Sequence, residues 1–187
     1  MQWQPQAIIE RFYSDERLRE LSRAHIFQHP DWIELDRGSL DDAAAAHRFA
    51  ARMQRPVSEM HALLQAVRES LTPIEESFAL ARDLNRRGVP LYGLSNMSAS
   101  NFSYLRQRYD HWQLFRGIVI SGEVKLIKPE SAVFEHICRL YQLDPTKTVF
   151  IDDHQPNIEA ARQLGFHTVL FRDPQQCGQD LETVIGR

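Results

Sequence analysis

The chain has 187 residues, 43% hydrophobic and 25% charged, an ordinary globular composition with room for one core domain and a small accessory domain. Its net charge of −3 and scattered basic residues leave no electrostatic footprint for nucleic acid or an anionic membrane surface. Cys138 and Cys177 have neither metal-ligand spacing nor a disulfide framework, no stretch approaches the roughly 20 apolar residues of a membrane helix, and Met1–Pro5 lacks the basic and apolar regions of a signal peptide. A cytoplasmic protein with two free thiols is expected.

The first 72 residues read as helical. Ile8, Ile9, Phe12, Leu18 and Leu21 recur near a 3.6-residue period and predict a helix over 7–23. Gly38-Ser39 precedes a second helix, with Ser39 or Asp41 as its N-cap and the alanines 43–46 behind it. Ser58 is the expected cap of a third helix reaching about Glu69, and His29-Pro30 and Arg55-Pro56 punctuate the loops.

After Pro73 the pattern alternates. A helix over 74–87 closes at Gly88, followed by a short apolar strand over 90–94. A helix over 98–108 turns Phe102 and Leu105 inward, and a strand covers 117–120. A helix over 131–143 precedes a third strand over 148–151. Pro156 suits the first position of a helix running to Leu164 and closed by Gly165, a fourth strand covers 167–171, and a last helix runs from Gln179 to Ile185. Continuous apolar runs are strands buried on both faces, and their alternation with helices predicts a doubly wound parallel α/β core over 73–187 behind a helical domain over 1–72. In such folds ligands bind at the carboxyl ends of the strands.

Three strand ends carry telling polar groups. Ser95 and Asn96 follow Leu94 where a strand meets a helix, a place where free N–H groups favour an anion. Lys128, 33 residues after Ser95, stands in the loop after the 117–120 strand with Pro129 fixing the backbone behind it; Lys125 competes with it as an anion partner. Asp152 and Asp153 follow a buried strand, and two adjacent carboxylates at a sheet's open end suit a hard cation such as Mg²⁺. Each has an ordinary structural reading alone. In this order, at three successive strand ends, a hydroxyl, an ammonium and an acid pair are what phosphoryl transfer requires.

Leu94-Ser95-Asn96, Lys128-Pro129 and Ile151-Asp152-Asp153 resemble motifs two, three and four of the haloacid dehalogenase superfamily, and the stretch from Thr148 to Gly165 is especially similar to that family's fourth motif and its following helix. The resemblance implies a Rossmann-like core with a small helical cap, and within that subclass sugar-phosphate phosphatases of the α-D-glucose-1-phosphatase type. It implies that Ser95 and the Asn96 backbone hold phosphate, that Lys128 pairs with nucleophile and phosphate, and that Asp152 and Asp153 hold Mg²⁺, either being the direct ligand. The expected partner is a small phosphorylated metabolite, with no nucleic acid and no membrane, acted on by a monomer or homodimer.

The family's nucleophile is an aspartate ending the first core strand, which lies centrally between the strands ending near Leu94 and Ile151. No such strand is legible here: Glu10, Asp15, Glu16, Glu20, Asp31, Glu34 and Asp36 all fall in the helical region, and none follows an apolar strand. An upstream start, a shortened chain, or a sheet closed around the gap or paired with another chain are the expected explanations, and the chain alone is expected to be inactive. A non-catalytic phosphate- and metal-binding protein is the alternative; a 2-haloacid dehalogenase fits less well, because halide displacement needs no metal for Asp152 and Asp153 to bind.

Overall fold

The computed structural model describes residues 1–185. In chain order the elements are α1 (Pro5–Phe12), α2 (Glu16–Ser22), α3 (Pro30–Arg37), α4 (Asp42–Met53), α5 (Val57–Ser70), α6 (Glu75–Arg86), β1 (Tyr92–Ser95), α7 (Ala99–Arg108), β2 (Gly117–Ile120), α8 (Ser121–Val124), α9 (Ser131–Tyr141), β3 (Val149–Asp152), α10 (Gln155–Gln163), β4 (His167–Leu170) and α11 (Pro174–Ile185). They divide into two compact units. Residues 1–74, 96–112 and 120–125 form the first; 75–95, 113–119 and 126 onward form the second.

The first unit is helical. The single helix expected over 7–23 is two: the chain turns extended at Tyr13, and Asp15 starts α2 afresh by accepting a hydrogen bond from Leu18 N. A π-helical turn, Arg23–Phe27, follows. The pair His29-Pro30, read from sequence as loop punctuation, opens α3 instead, because proline at the first helical position sacrifices no hydrogen bond. Of the two caps left open for α4, Asp41 is the one used, accepting from Ala44 N at 2.7 Å. Ser58 is not a cap; it lies inside α5, which Pro56 precedes. Helices α4 and α5 pack closely, with Ala45, Ala46, Phe49, Met53, Met60, Leu63 and Val67 buried between them and their neighbours. Burying a side chain like that of Phe49 contributes about 1.5–3 kcal/mol.

An aromatic stack runs beside this core. Trp3 stacks on Trp32 at 5.5 Å between centroids, and Phe27 lies 4.8 Å from Trp32. Gln2 N donates to Thr72 O at 2.8 Å, so residues 2 and 72 are neighbours. Gly38 ends α3 at φ +81°, and a Cβ there would overlap the Gly122 carbonyl at the start of α8. That short helix was not legible in the sequence.

The four expected strands alternate with helices along the chain, the α/β class that the alternation predicts, although α7 and α8 fall in the first unit. Phe102 and Leu105 of α7, in the first unit, are buried as expected. Strands β3 and β4 pair in parallel with Val149 opposite His167 and Asp152 opposite Leu170; β1 pairs with β2. Among the described residues these are two separate two-stranded sheets. Leu84, Val169, Cys177 and Leu181 form an apolar cluster with Leu80, Val149 and Phe171 around it. Helix α11 starts at Pro174, five residues before the expected Gln179, since Asp173 can accept from Gln176 N at 2.8 Å and start it there. Gly117 has no room for a side chain: a Cβ would meet the Tyr141 ring.

Candidate functional site

Strand β3 ends on Asp152, and the chain then turns into α10. That turn is built on the Asp152 carboxylate. Its Oδ1 accepts from His154 N and from Asn157 Nδ2, each at 2.9 Å. Its Oδ2 accepts from Lys128 Nζ at 2.7 Å. Lys128 also donates to the Leu94 carbonyl at 2.9 Å, and its ammonium lies 5.7 Å from the Phe150 ring centroid. The Lys128 and Asp152 side chains are only 10% and 6% exposed. A buried ion pair of this kind persists because further hydrogen bonds satisfy the remaining lone pairs and protons.

Two of the residues expected at strand ends therefore meet, Lys128 and Asp152. Lys128 bridges the end of β1 to the end of β3, and Ser95, the last residue of β1, directly follows the carbonyl that Lys128 holds. Asp153 is exposed beside Asp152. Asn96 lies in the first unit with Met97 and Ser98. There Met97 N donates to Ser121 Oγ at 2.8 Å, and Ser121 Oγ donates to the Asp36 carbonyl at 2.6 Å. Lys125, the competing lysine, terminates α8 at φ +60° in the first unit.

Sequence reasoning did not assign a role to Asn157. It sits in the first turn of α10, is 6% exposed, and keeps a buried Oδ1 with no hydrogen-bond partner among the described residues. An asparagine five residues after a strand-end aspartate, just behind a helix-opening proline, was the available signal.

Asp36 was also missed. Burial pushes its carboxyl up to about 7, although hydrogen bonds from the Ser98 backbone and the Trp32 side chain pull the other way. Trp32, His29 and His25 of the first unit are engaged locally. Trp32 is buried in the aromatic stack, His29 Nδ1 accepts from Asp31 N at 3.1 Å, and the His25 carbonyl accepts from Arg52 at 2.6 Å. Both thiols are held above the usual cysteine range, chiefly by burial.

The donor chemistry at β3 suits a hard cation in part. Asp152 and Asp153 offer adjacent carboxylate oxygens, and the Asn157 Oδ1 is a further hard donor nearby. Among the described residues no three acidic, histidine or cysteine side chains gather as a ready-made metal site. A Mg²⁺ ion is characteristically held by one or two carboxylates, with waters and substrate phosphate completing its shell.

Residues 5–165 match the haloacid dehalogenase-like hydrolase family. The chain is 27% identical over 161 residues to a sesquiterpene phosphatase of Aspergillus oryzae, covering 86% of this chain and 82% of that one. It superposes on a haloacid dehalogenase family enzyme of Bacteroides thetaiotaomicron with a TM-score of 0.73 at 20% identity, covering 99% of this chain and 91% of that one. A variant of the same enzyme, in complex with magnesium and inorganic phosphate, superposes with a TM-score of 0.72 at 20% identity over 91% of this chain and 88% of that one. No described helix is long and apolar enough to cross a membrane.

Proposed function

Since this chain belongs to the haloacid dehalogenase-like hydrolases, we propose that its strand-end cluster is the phosphate end of a phosphatase-type site acting on small phosphorylated metabolites. The Lys128–Asp152 pair beside Ser95 carries this reading: a buried ammonium is fixed where β1 and β3 both end. In this reading Ser95 and the Asn96 backbone hold phosphate oxygens, and Lys128 neutralises their charge. Asp152 and Asp153 hold Mg²⁺, which when bound neutralises charge on the transferring phosphoryl group. Residues 1–72 serve as the cap and 73–187 as the core, in a cytoplasmic monomer or homodimer. The sesquiterpene phosphatase relative favours an organic phosphate with an apolar leaving group over a sugar phosphate.

The nucleophile is the unfilled role. Asp31, Glu34 and Asp36 lie on α3, Glu10 on α1, and Glu16 and Glu20 on α2, while Asp15 caps α2. None ends a strand, so residues 1–187 by themselves bind phosphate without cleaving its esters. That makes the binding-only reading the second one. Dehalogenase chemistry has no use for the acid pair.

Calorimetry with inorganic phosphate and Mg²⁺, run beside a p-nitrophenyl phosphate assay, tests both parts. The expected result is Mg²⁺-assisted phosphate binding, weakened at least tenfold by Lys128→Ala, with no turnover. Absence of phosphate binding to the folded chain would remove the phosphatase-type reading. Mg²⁺-dependent turnover abolished by Lys128→Ala would remove the claim of inactivity.

A further inference from the structure

A serine at the start of a helix ordinarily spends its hydroxyl on capping that helix. Ser121, the first residue of α8, does not. No side chain caps α8, and the fully buried Ser121 hydroxyl reaches two distant segments instead. Its Oγ accepts from Met97 N at 2.8 Å and donates to Asp36 O at 2.6 Å. Met97 O lies farther from it, at 3.3 Å, and accepts from Gly122 N at 3.1 Å. One residue on, Ser98 N donates to the Asp36 carboxyl. Both main-chain polar groups of Met97 and the amide of Ser98 are therefore held from α3 and the start of α8.

Two glycines permit this close approach. A Cβ on Gly122 would overlap Met97 O and Ala99 N, and a Cβ on Gly38 would overlap Gly122 O. Residues 36–38, 96–99 and 121–122 all belong to the first compact unit, so the clamp is internal to it. Met97 N shares one planar peptide group with the Asn96 carbonyl. Fixing that N–H fixes the direction of the chain at Asn96, directly beside the amide proposed to hold phosphate.

We propose that Ser121 is a positioning residue for phosphate binding: its hydroxyl locks the peptide plane after Asn96, so that the Asn96 amide meets the anion preformed. The inference rests on the phosphatase-type reading of the strand-end cluster. A hydroxyl suits the task because it accepts and donates at once, which joins Met97 N to Asp36 O through a single atom. Alanine in its place leaves a buried N–H and a buried C=O without their partner. The loop then has to be ordered by the anion itself, and that ordering is subtracted from affinity.

The test uses the full chain, calorimetry with inorganic phosphate and Mg²⁺, and amide hydrogen exchange. Ser121→Ala removes the hydroxyl. Ser121→Cys keeps a weaker donor and acceptor of similar shape and serves should the alanine chain not fold. Leu63→Ala opens a cavity in the buried core of the same unit and so destabilises it away from the loop. The expected results are exchange at Met97 at least tenfold faster in Ser121→Ala and phosphate bound at least tenfold more weakly. Ser121→Cys should fall between, and Leu63→Ala should bind phosphate as the parent does. Parental affinity in both Ser121 variants, or unchanged exchange at Met97, overturns the proposal. Equal weakening by Leu63→Ala overturns it too, by making general loosening the cause. A parent chain that binds no phosphate overturns the phosphatase-type reading and this inference together, whereas equal binding by parent and variants removes this inference alone.

Discussion

Lys128 Nζ stands 2.7 Å from Asp152 Oδ2, and each side chain is at least nine-tenths buried. The pair ties the ends of β1 and β3 together through Leu94 O, so it is part of the scaffold.

Removing one partner of such a pair leaves the other charge buried. Lys128→Met should therefore destabilise the chain by about 3–5 kcal/mol. Lys128→Met combined with Asp152→Asn should cost less than the two single changes added, because asparagine can still accept from His154 N and Asn157. Urea unfolding of the four proteins of this cycle measures the coupling; strict additivity would show that the pair contributes nothing.

Asp36 makes stability depend on pH. Its folded carboxyl is raised to about 7, chiefly by burial, whereas an unfolded aspartate titrates near 3.9. The folded chain thus holds a proton that the unfolded chain has lost between those values. The associated stability is complete below about pH 4 and is lost as pH rises through about 7. Asp36→Asn should flatten that part of the profile, gaining on the parent chain by on the order of 1–3 kcal/mol at pH 8 relative to pH 4. Thermal unfolding of both proteins across pH 4–8 checks it.

Gly38 combines a left-handed backbone with a carbonyl from Gly122 where its Cβ would be. Gly38→Ala should cost more than the roughly 1 kcal/mol that left-handed backbone alone imposes on alanine. Gly88 provides the control. It has a similar φ of +82° with open space around it, so Gly88→Ala should cost only the backbone share. Chemical denaturation of the two variants separates strain from overlap.

Gly117 faces the Tyr141 ring, which also lies 5.0 Å from the Tyr92 ring. Gly117→Ala should be destabilising by about 1–3 kcal/mol through overpacking. Adding Tyr141→Leu, which withdraws the ring, should recover part of that loss. Failure of the second change to recover anything would place the cause elsewhere in β2.

The α/β class and the strand-end residues were legible because they rest on local patterns: short apolar runs, turn glycines such as Gly88 and Gly165, and polar residues at fixed offsets. Ser95, Lys128 and Asp152 could be placed from those patterns alone. Boundaries that depend on competing caps were less so. Asp15 breaks what looks like one helix over 7–23, and Pro30 starts a helix where proline reads as a loop. Asp36 and Asn157 were invisible for another reason. Their importance comes from burial, which separate segments such as Trp32, Ser98 and Asp152 create together. The division of four strands into two sheets is likewise a property of pairing, and no single apolar run announces it.

The hydrogen bond from Gln2 to Thr72 gives the helical portion adjoining ends. A stretch of some 70 residues thus closes on itself at one joint, yet it is not self-sufficient: segments 96–112 and 120–125 complete its compact unit, so a graft of residues 2–72 alone would strip groups such as Asp42 of partners such as Ser100.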